Sequence, residues 1–220
     1  YTSSPSVVLG SNNIEGANEQ ISYPDQYLCN YSKTKAIAEK MVIKANGLNG
    51  LATVCIRPHL IWGPGDPHLL PRIVERAKNK KLIRVGEGNN LVDMIYIDNA
   101  VDAHIKAYEK LDLNSNVAGK CYFVSDDKPV FLWEWIELLL IKLELPSITK
   151  TITFKWAFFL GRTLEIFHKV FFIKKEPIMT RFLAMQLSKS HYFNISQAKK
   201  DFGYKPLIKN EEGIKRLVSD

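Results

Sequence analysis

Tyr31 and Lys35 stand four residues apart in the run Asn30-Tyr31-Ser32-Lys33-Thr34-Lys35. On a helix that spacing puts both side chains on one face, a turn apart. A phenol and an ammonium held that way form an acid–base device. A free phenol has a pKa of about 10 and is mostly protonated at neutral pH. A positive charge about 4 Å away favours the phenolate by roughly 4 kcal/mol at an effective dielectric near 20. That is enough to bring a phenol close to neutrality, where proton transfer to and from a reacting group is most effective. Many helices carry Tyr-x-x-x-Lys, so the pair acquires meaning only from the segments around it.

Those segments read as alternating strands and helices. Residues 1–8 form an apolar strand running into the hydroxyl-rich turn Thr2-Ser3-Ser4. A helix over about 26–47 follows, on which Tyr31, Lys35, Ala38, Val42 and Ala45 repeat with the helical period. A second apolar strand, 52–57, closes in Arg57-Pro58-His59-Leu60-Ile61-Trp62-Gly63-Pro64-Gly65-Asp66. A helix near 70–79 and short strands at 82–85 and 92–97 come next, with Gly86-Glu87-Gly88 as a turn. Asp98 then reads as the N-cap of a helix over 99–111, and 121–124 as the last buried strand. The remainder is mostly helical, beginning with 133–143.

Taken in order, five blocks resemble the extended short-chain dehydrogenase/reductase superfamily. They are Tyr1-Thr2-Ser3-Ser4, Tyr31-x-x-x-Lys35, Arg57-Pro58 through Asp66, Met94 through His104, and Phe193 through Pro206. Within it the chain is most similar to the 3β-hydroxysteroid dehydrogenase family, which includes sterol-4α-carboxylate 3-dehydrogenases. The resemblance implies an α/β fold, the C-terminal part of a Rossmann-like doubly wound parallel sheet with an interleaved helical substrate region. Residues 1–125 would complete the NAD(P)-binding domain, with an insertion at about 64–91 belonging to the substrate region that continues over 126–220.

The resemblance also assigns roles. Tyr31 is the general base in alcohol oxidation and the acid in carbonyl reduction. Lys35 lowers the phenol's pKa and binds the nicotinamide ribose. Ser4 holds the substrate oxygen, with Ser3 the competitor if the register slips by one. Pro58, His59 and Leu60 line the nicotinamide of NAD, or NADP, since the strand that selects between them is not in this sequence. His59 is expected as cofactor wall more than as an extra acid–base group, and His104 as a half-buried packing residue. Asp25, Asp66 and Asp98 are expected as loop or cap residues. The substrate is a hydrophobic secondary alcohol, steroid- or sterol-like. A nucleotide-sugar epimerase or dehydratase on the same scaffold is the nearest alternative, and a non-catalytic cofactor-sensing scaffold a more distant one.

No Gly-x-x-Gly-x-x-Gly occurs, so the glycine-rich strand–turn–helix that holds the pyrophosphate is expected upstream, in a longer protein. A homodimer through the Tyr/Lys helix is likewise expected from the family. Net charge is +7 over 220 residues, but the lysines are scattered and no nucleic-acid reader motif accompanies them. Cys29, Cys55 and Cys121 read as single reduced thiols in a cytoplasmic chain without disulfides or a metal. Residues 154–173 hold six Phe and one Trp, broken by Lys155, Arg162, Glu165, His168 and Lys169. That is too charged to span a bilayer, yet it suits a core helix, a pocket lid, a dimer contact or peripheral membrane contact.

Overall fold

The computed structural model describes residues 1–219. Its elements run β1 (Ile14–Ala17), α1 (Asn30–Ala45), β2 (Val54–Pro58), β3 (Ile61–Trp62), α2 (Leu69–Lys78), β4 (Ile83–Val85), β5 (Leu91–Val92), β6 (Ile95–Tyr96) and α3 (Ile97–Glu109). After these come β7 (Lys120–Val124), β8 (Val130–Phe131), α4 (Leu132–Lys142), β9 (Lys150–Ile152), α5 (Phe154–Val170), α6 (Arg181–Ser188), β10 (His191–Phe193), α7 (Ser196–Phe202) and α8 (Asn210–Ser219).

β2 pairs in parallel with β7, and β3 with β6. A mixed four-stranded sheet runs β1-β10-β5-β8, and β4 pairs in parallel with β9. The α/β class with parallel pairing is therefore as the sequence implies.

Two apolar cores share the molecule. One gathers β2 and β7 with the alanine column Ala100, Ala103 and Ala107 of α3, which lets that helix lie close to the strands, and with Phe193, Phe202 and Tyr204 from the C-terminal stretch. The other collects Trp62, Leu70, Ile73, Trp133, Trp135 and Leu139. β6 divides them: successive strand residues face opposite sides, so Ile95 enters the first core and Tyr96 the second.

Three local expectations are corrected. The strand over 1–8 is reduced to one parallel bridge, Thr2 to Ile56, because Pro5 opens a 3-10 turn over Pro5–Val7. Asp98 does not cap its helix: Tyr96 is the cap residue, and Asp98 lies in the first turn facing Arg216 at 3.4 Å. The 26–47 helix starts at Asn30, with Cys29 at its cap position, so Asp25 stays in the preceding loop.

Candidate active site

α1 turns Ser32, Ala36 and Glu39 inward, leaving Tyr31 at its edge, 53% exposed and open to a ligand. Lys35 sends its ammonium to the Thr2 carbonyl at 2.9 Å, over the ring of Tyr1. Ser4 sits where the bridged segment breaks into the 3-10 turn, and its Oγ accepts from the Ser6 amide at 3.2 Å. Ser3 is buried while Ser4 is half-buried. Tyr31, Lys35 and Ser4 all border one cleft of about 550 Å³, whose opposite wall is Pro58, His59 and Leu60.

That wall is stiff. Leu60 has φ +42, a left-handed backbone that costs a branched residue of order 1–2 kcal/mol, so the strain is held by its surroundings. His59 is buried and meets His191 at 2.6 Å between Nε2 and Nδ1, and His191 Nε2 donates to the Gln186 carbonyl. The carbonyl fixes the proton on His191 Nε2, so His59 Nε2 is the donor to His191. Burial first, and then its neighbour, hold His59 well below the ordinary histidine range. The pair is thus a neutral clasp.

Sequence reasoning did not find two parts of this site. Phe182 and Gln186 of α6 line the cleft from far along the chain. Behind α1, the Glu39 carboxylate takes Arg57 Nε at 2.8 Å, Arg57 NH2 at 2.7 Å and the Tyr23 hydroxyl at 2.6 Å, with Arg57 and Glu39 both buried. Burial would raise Glu39, but the bonds and charge of Arg57 outweigh it and hold the carboxyl below its usual range. The signal was present: Glu39 continues the four-residue step Tyr31, Lys35, and Arg57 opens the Arg-Pro block.

Lys35's berth on Thr2 is itself braced. His104 Nδ1 donates to the Ala100 carbonyl at 2.7 Å, leaving Nε2 to accept from the Thr2 hydroxyl at 2.9 Å. His104 is half-buried, in keeping with a packing role. Asp66 likewise acts as a cap, accepting from the amides of His68, Leu69 and Leu70.

The cysteines are not all solitary. Cys55 and Cys121 pair in register across β2 and β7, and their sulfurs lie with a Glu39 oxygen within 4.8 Å. The bond to Cys55, and then burial, push the Cys121 thiol up. Both Glu39 oxygens already serve Arg57, so a cation there would have to displace a guanidinium.

The family model described as the 3-beta hydroxysteroid dehydrogenase/isomerase family matches residues 1–155. The chain belongs to that family. Among curated relatives it is 46% identical to a 2-alkyl-3-oxoalkanoate reductase of Shewanella oneidensis, over 99% of this chain and 58% of that protein. It is 32% identical to a decarboxylating sterol-4-alpha-carboxylate 3-dehydrogenase of Mus musculus, over 99% of this chain and 61% of that one. The chain thus spans about three-fifths of these relatives' length. Among solved structures, a UDP-glucuronic acid 4-epimerase from Bacillus cereus in complex with NAD superposes with a TM-score of 0.68 at 16% identity, covering 99% of this chain and 59% of the other. That likeness shows a shared Rossmann-like α/β fold.

Proposed function

We propose that this chain carries the catalytic groups of an NAD(P)-dependent oxidoreductase that interconverts a secondary alcohol and a ketone on a hydrophobic substrate. The observation that carries the reading is the convergence of an exposed phenol, an ammonium and a hydroxyl on one cleft, from two separate segments. The two relatives' names share a chemistry: each describes an oxygenated carbon next to a carbon that bears a carboxylate or is flanked by one. The substrate class we assign is therefore a greasy 3-hydroxy or 3-oxo acid, alkyl-branched or sterol-like.

The cleft suits the nicotinamide end of the cofactor, with a cation and hydroxyls on one side and the Pro58–Leu60 backbone, strained at Leu60, on the other. Lys35 and Pro58, His59 and Leu60 would hold it there; when bound, it supplies the hydride chemistry. The chain's own groups handle the proton. Tyr31 Oη takes the hydroxyl proton in oxidation and returns it in reduction, and Ser4 Oγ orients the substrate oxygen. The neutral His59–His191 clasp adds no second acid and keeps the wall in place.

An epimerase acting on a nucleotide sugar would put arginines against a diphosphate, and the lining among the described residues contains none. In our reading the partners are the small-molecule acid, a second copy of the chain through α1, where Ile37 and Met41 are exposed, and a membrane surface met by residues 154–173. The divisions at 125 and 64–91 correspond to cofactor and substrate regions in the same reading.

Tyr31→Phe in the full-length protein tests the proposal. Turnover should fall by about 10²–10⁴ while calorimetry shows NAD and substrate still bound. Unchanged turnover removes Tyr31 from the mechanism. A 2-alkyl-3-oxo acid should also outcompete its methyl ester, and equal turnover of the two would remove the carboxylate from the substrate class.

A further inference from the structure

We infer that His68 and Gln186 together receive the substrate's carboxylate, and so select an acid over its neutral analogues. The assignment rests on the 3-hydroxy or 3-oxo acid reading. In such an acid the carboxyl carbon stands two bonds from the carbon that reacts. The groups that receive it must therefore border the same cleft as Tyr31 and Ser4.

Most polar side chains on that cleft are already engaged. The Thr2 hydroxyl donates to His104, Lys35 donates to the Thr2 carbonyl, and Ser4 Oγ accepts from the Ser6 amide. His59 is buried against His191, and Asp66 is spent on the amides that open α2. Of the lining side chains that are not buried, three have no hydrogen-bond partner among the described residues: the Tyr31 hydroxyl, the His68 imidazole and the Gln186 amide. The phenol serves the reacting oxygen. The other two are donors that a carboxylate can use.

Each is free for a structural reason. His68 holds the cap position of α2, where a polar side chain ordinarily turns back onto the helix's own amides. Its ring makes no such bond, because Asp66, two residues earlier, accepts from the His68 and Leu70 amides, each at 2.8 Å. The backbone of His68 is fixed and its ring is spare. Gln186 is held the other way round. Its carbonyl accepts from His191 Nε2 at 3.0 Å, and the buried His191 is bonded in turn to His59 of the cofactor wall. The main chain at Gln186 is thus tied to the wall while its amide stays unspent. Groups placed before the ligand arrives lose little freedom on binding it.

Charge favours the same pair. Lys35, His59 and His68 are the lining side chains able to carry a positive charge. Lys35 is committed to the Thr2 carbonyl and burial keeps His59 neutral, which leaves His68. Phe182, one turn before Gln186 on α6, lines the same cleft and offers an apolar surface for the alkyl branch.

A 2-alkyl alkanoic acid without the 3-oxygen cannot react, so its binding reports this pocket apart from the Tyr31 chemistry. Calorimetry of the full-length protein saturated with NAD compares that acid with its methyl ester. The wild type should prefer the acid. His68→Leu should cut the acid-to-ester affinity ratio about ten- to a hundredfold, the worth of a hydrogen bond to a charged group. His68→Lys, which restores a cationic donor, should recover most of it. Gln186→Glu sets one carboxylate against another and should lower the ratio at least tenfold. The ester is the internal reference, since damage to the fold or to the cofactor site moves both ligands alike. A wild-type preference that survives either His68→Leu or Gln186→Glu, or a His68→Lys protein no better than His68→Leu, overturns the inference and leaves the acid reading standing. Equal binding of acid and ester by the wild type overturns both.

Discussion

Asp93 shows how far a single side chain can depart from its ordinary chemistry. It lies between β5 and β6, is almost wholly buried, and accepts from the Phe193 amide at 2.8 Å. Burial, against that hydrogen bond, leaves its pKa pushed up to about 7 from an ordinary 3.8. A carboxyl whose folded pKa is raised binds its proton more tightly when folded. Its stabilising contribution is complete below about pH 4 and is lost as pH rises through 7. Asp93→Asn keeps an acceptor for the Phe193 amide and cannot ionise. The variant should gain on the wild type as pH rises from 5 to 8, by up to roughly 2–3 kcal/mol. Thermal melts across that range check this; parallel curves for both proteins would show that Asp93 does not titrate there. Nothing in the sequence marks Asp93, since burial is a property of the assembled sheet. Tyr31, Lys35 and Ser4 could be singled out in the sequence because type and spacing are local.

At the scale of elements, α1 is anchored as well as formed. The helical period of Tyr31, Lys35, Ala38, Val42 and Ala45 made the helix readable, but not the fact that its inward face ends in a charge. Glu39→Ala would leave the Arg57 guanidinium buried and uncompensated, at a cost of about 3–5 kcal/mol. Replacing both, Glu39→Leu with Arg57→Met, should recover most of that loss, because a buried ion pair contributes little net stability relative to apolar groups of similar volume. Urea titrations of the two variants decide it; a double variant as unstable as the single one would show that the pair itself is stabilising. The strand expected over 1–8 failed for a local reason. Its apolar pattern was sound, yet Pro5 has no amide to donate to a ladder and favours the start of a helical turn. Asp98 failed as a cap because the helix begins one residue before it, and cap positions shift easily by that amount.

For the molecule as a whole, the order of motifs revealed the fold class, while the partition into two cores depends on long-range contacts. Phe193, Ile195, Ala198, Phe202 and Tyr204 fill the first core although they come from the far end of the chain, and Tyr204 donates to the Ser125 carbonyl at 3.0 Å. Phe202→Ala should therefore destabilise by about 3–5 kcal/mol and loosen β7. Hydrogen exchange should report faster opening at Tyr122–Val124 than at the α4 amides of the second core. Equal acceleration in both would mean that the two cores unfold as one.

The alternation at β6 has a consequence for how such a chain can change length. Ile95 and Tyr96 are consecutive residues delivered to different interiors, so β6 works like a reading frame. Adding or deleting one residue there would send each side chain to the other's address, an aliphatic into an aromatic nest and a phenol among alanines. A one-residue insertion should instead be tolerated in the turn at Glu87–Asn89, where Glu87 and Asn89 are exposed. A two-residue strand is thereby among the least editable stretches of the protein.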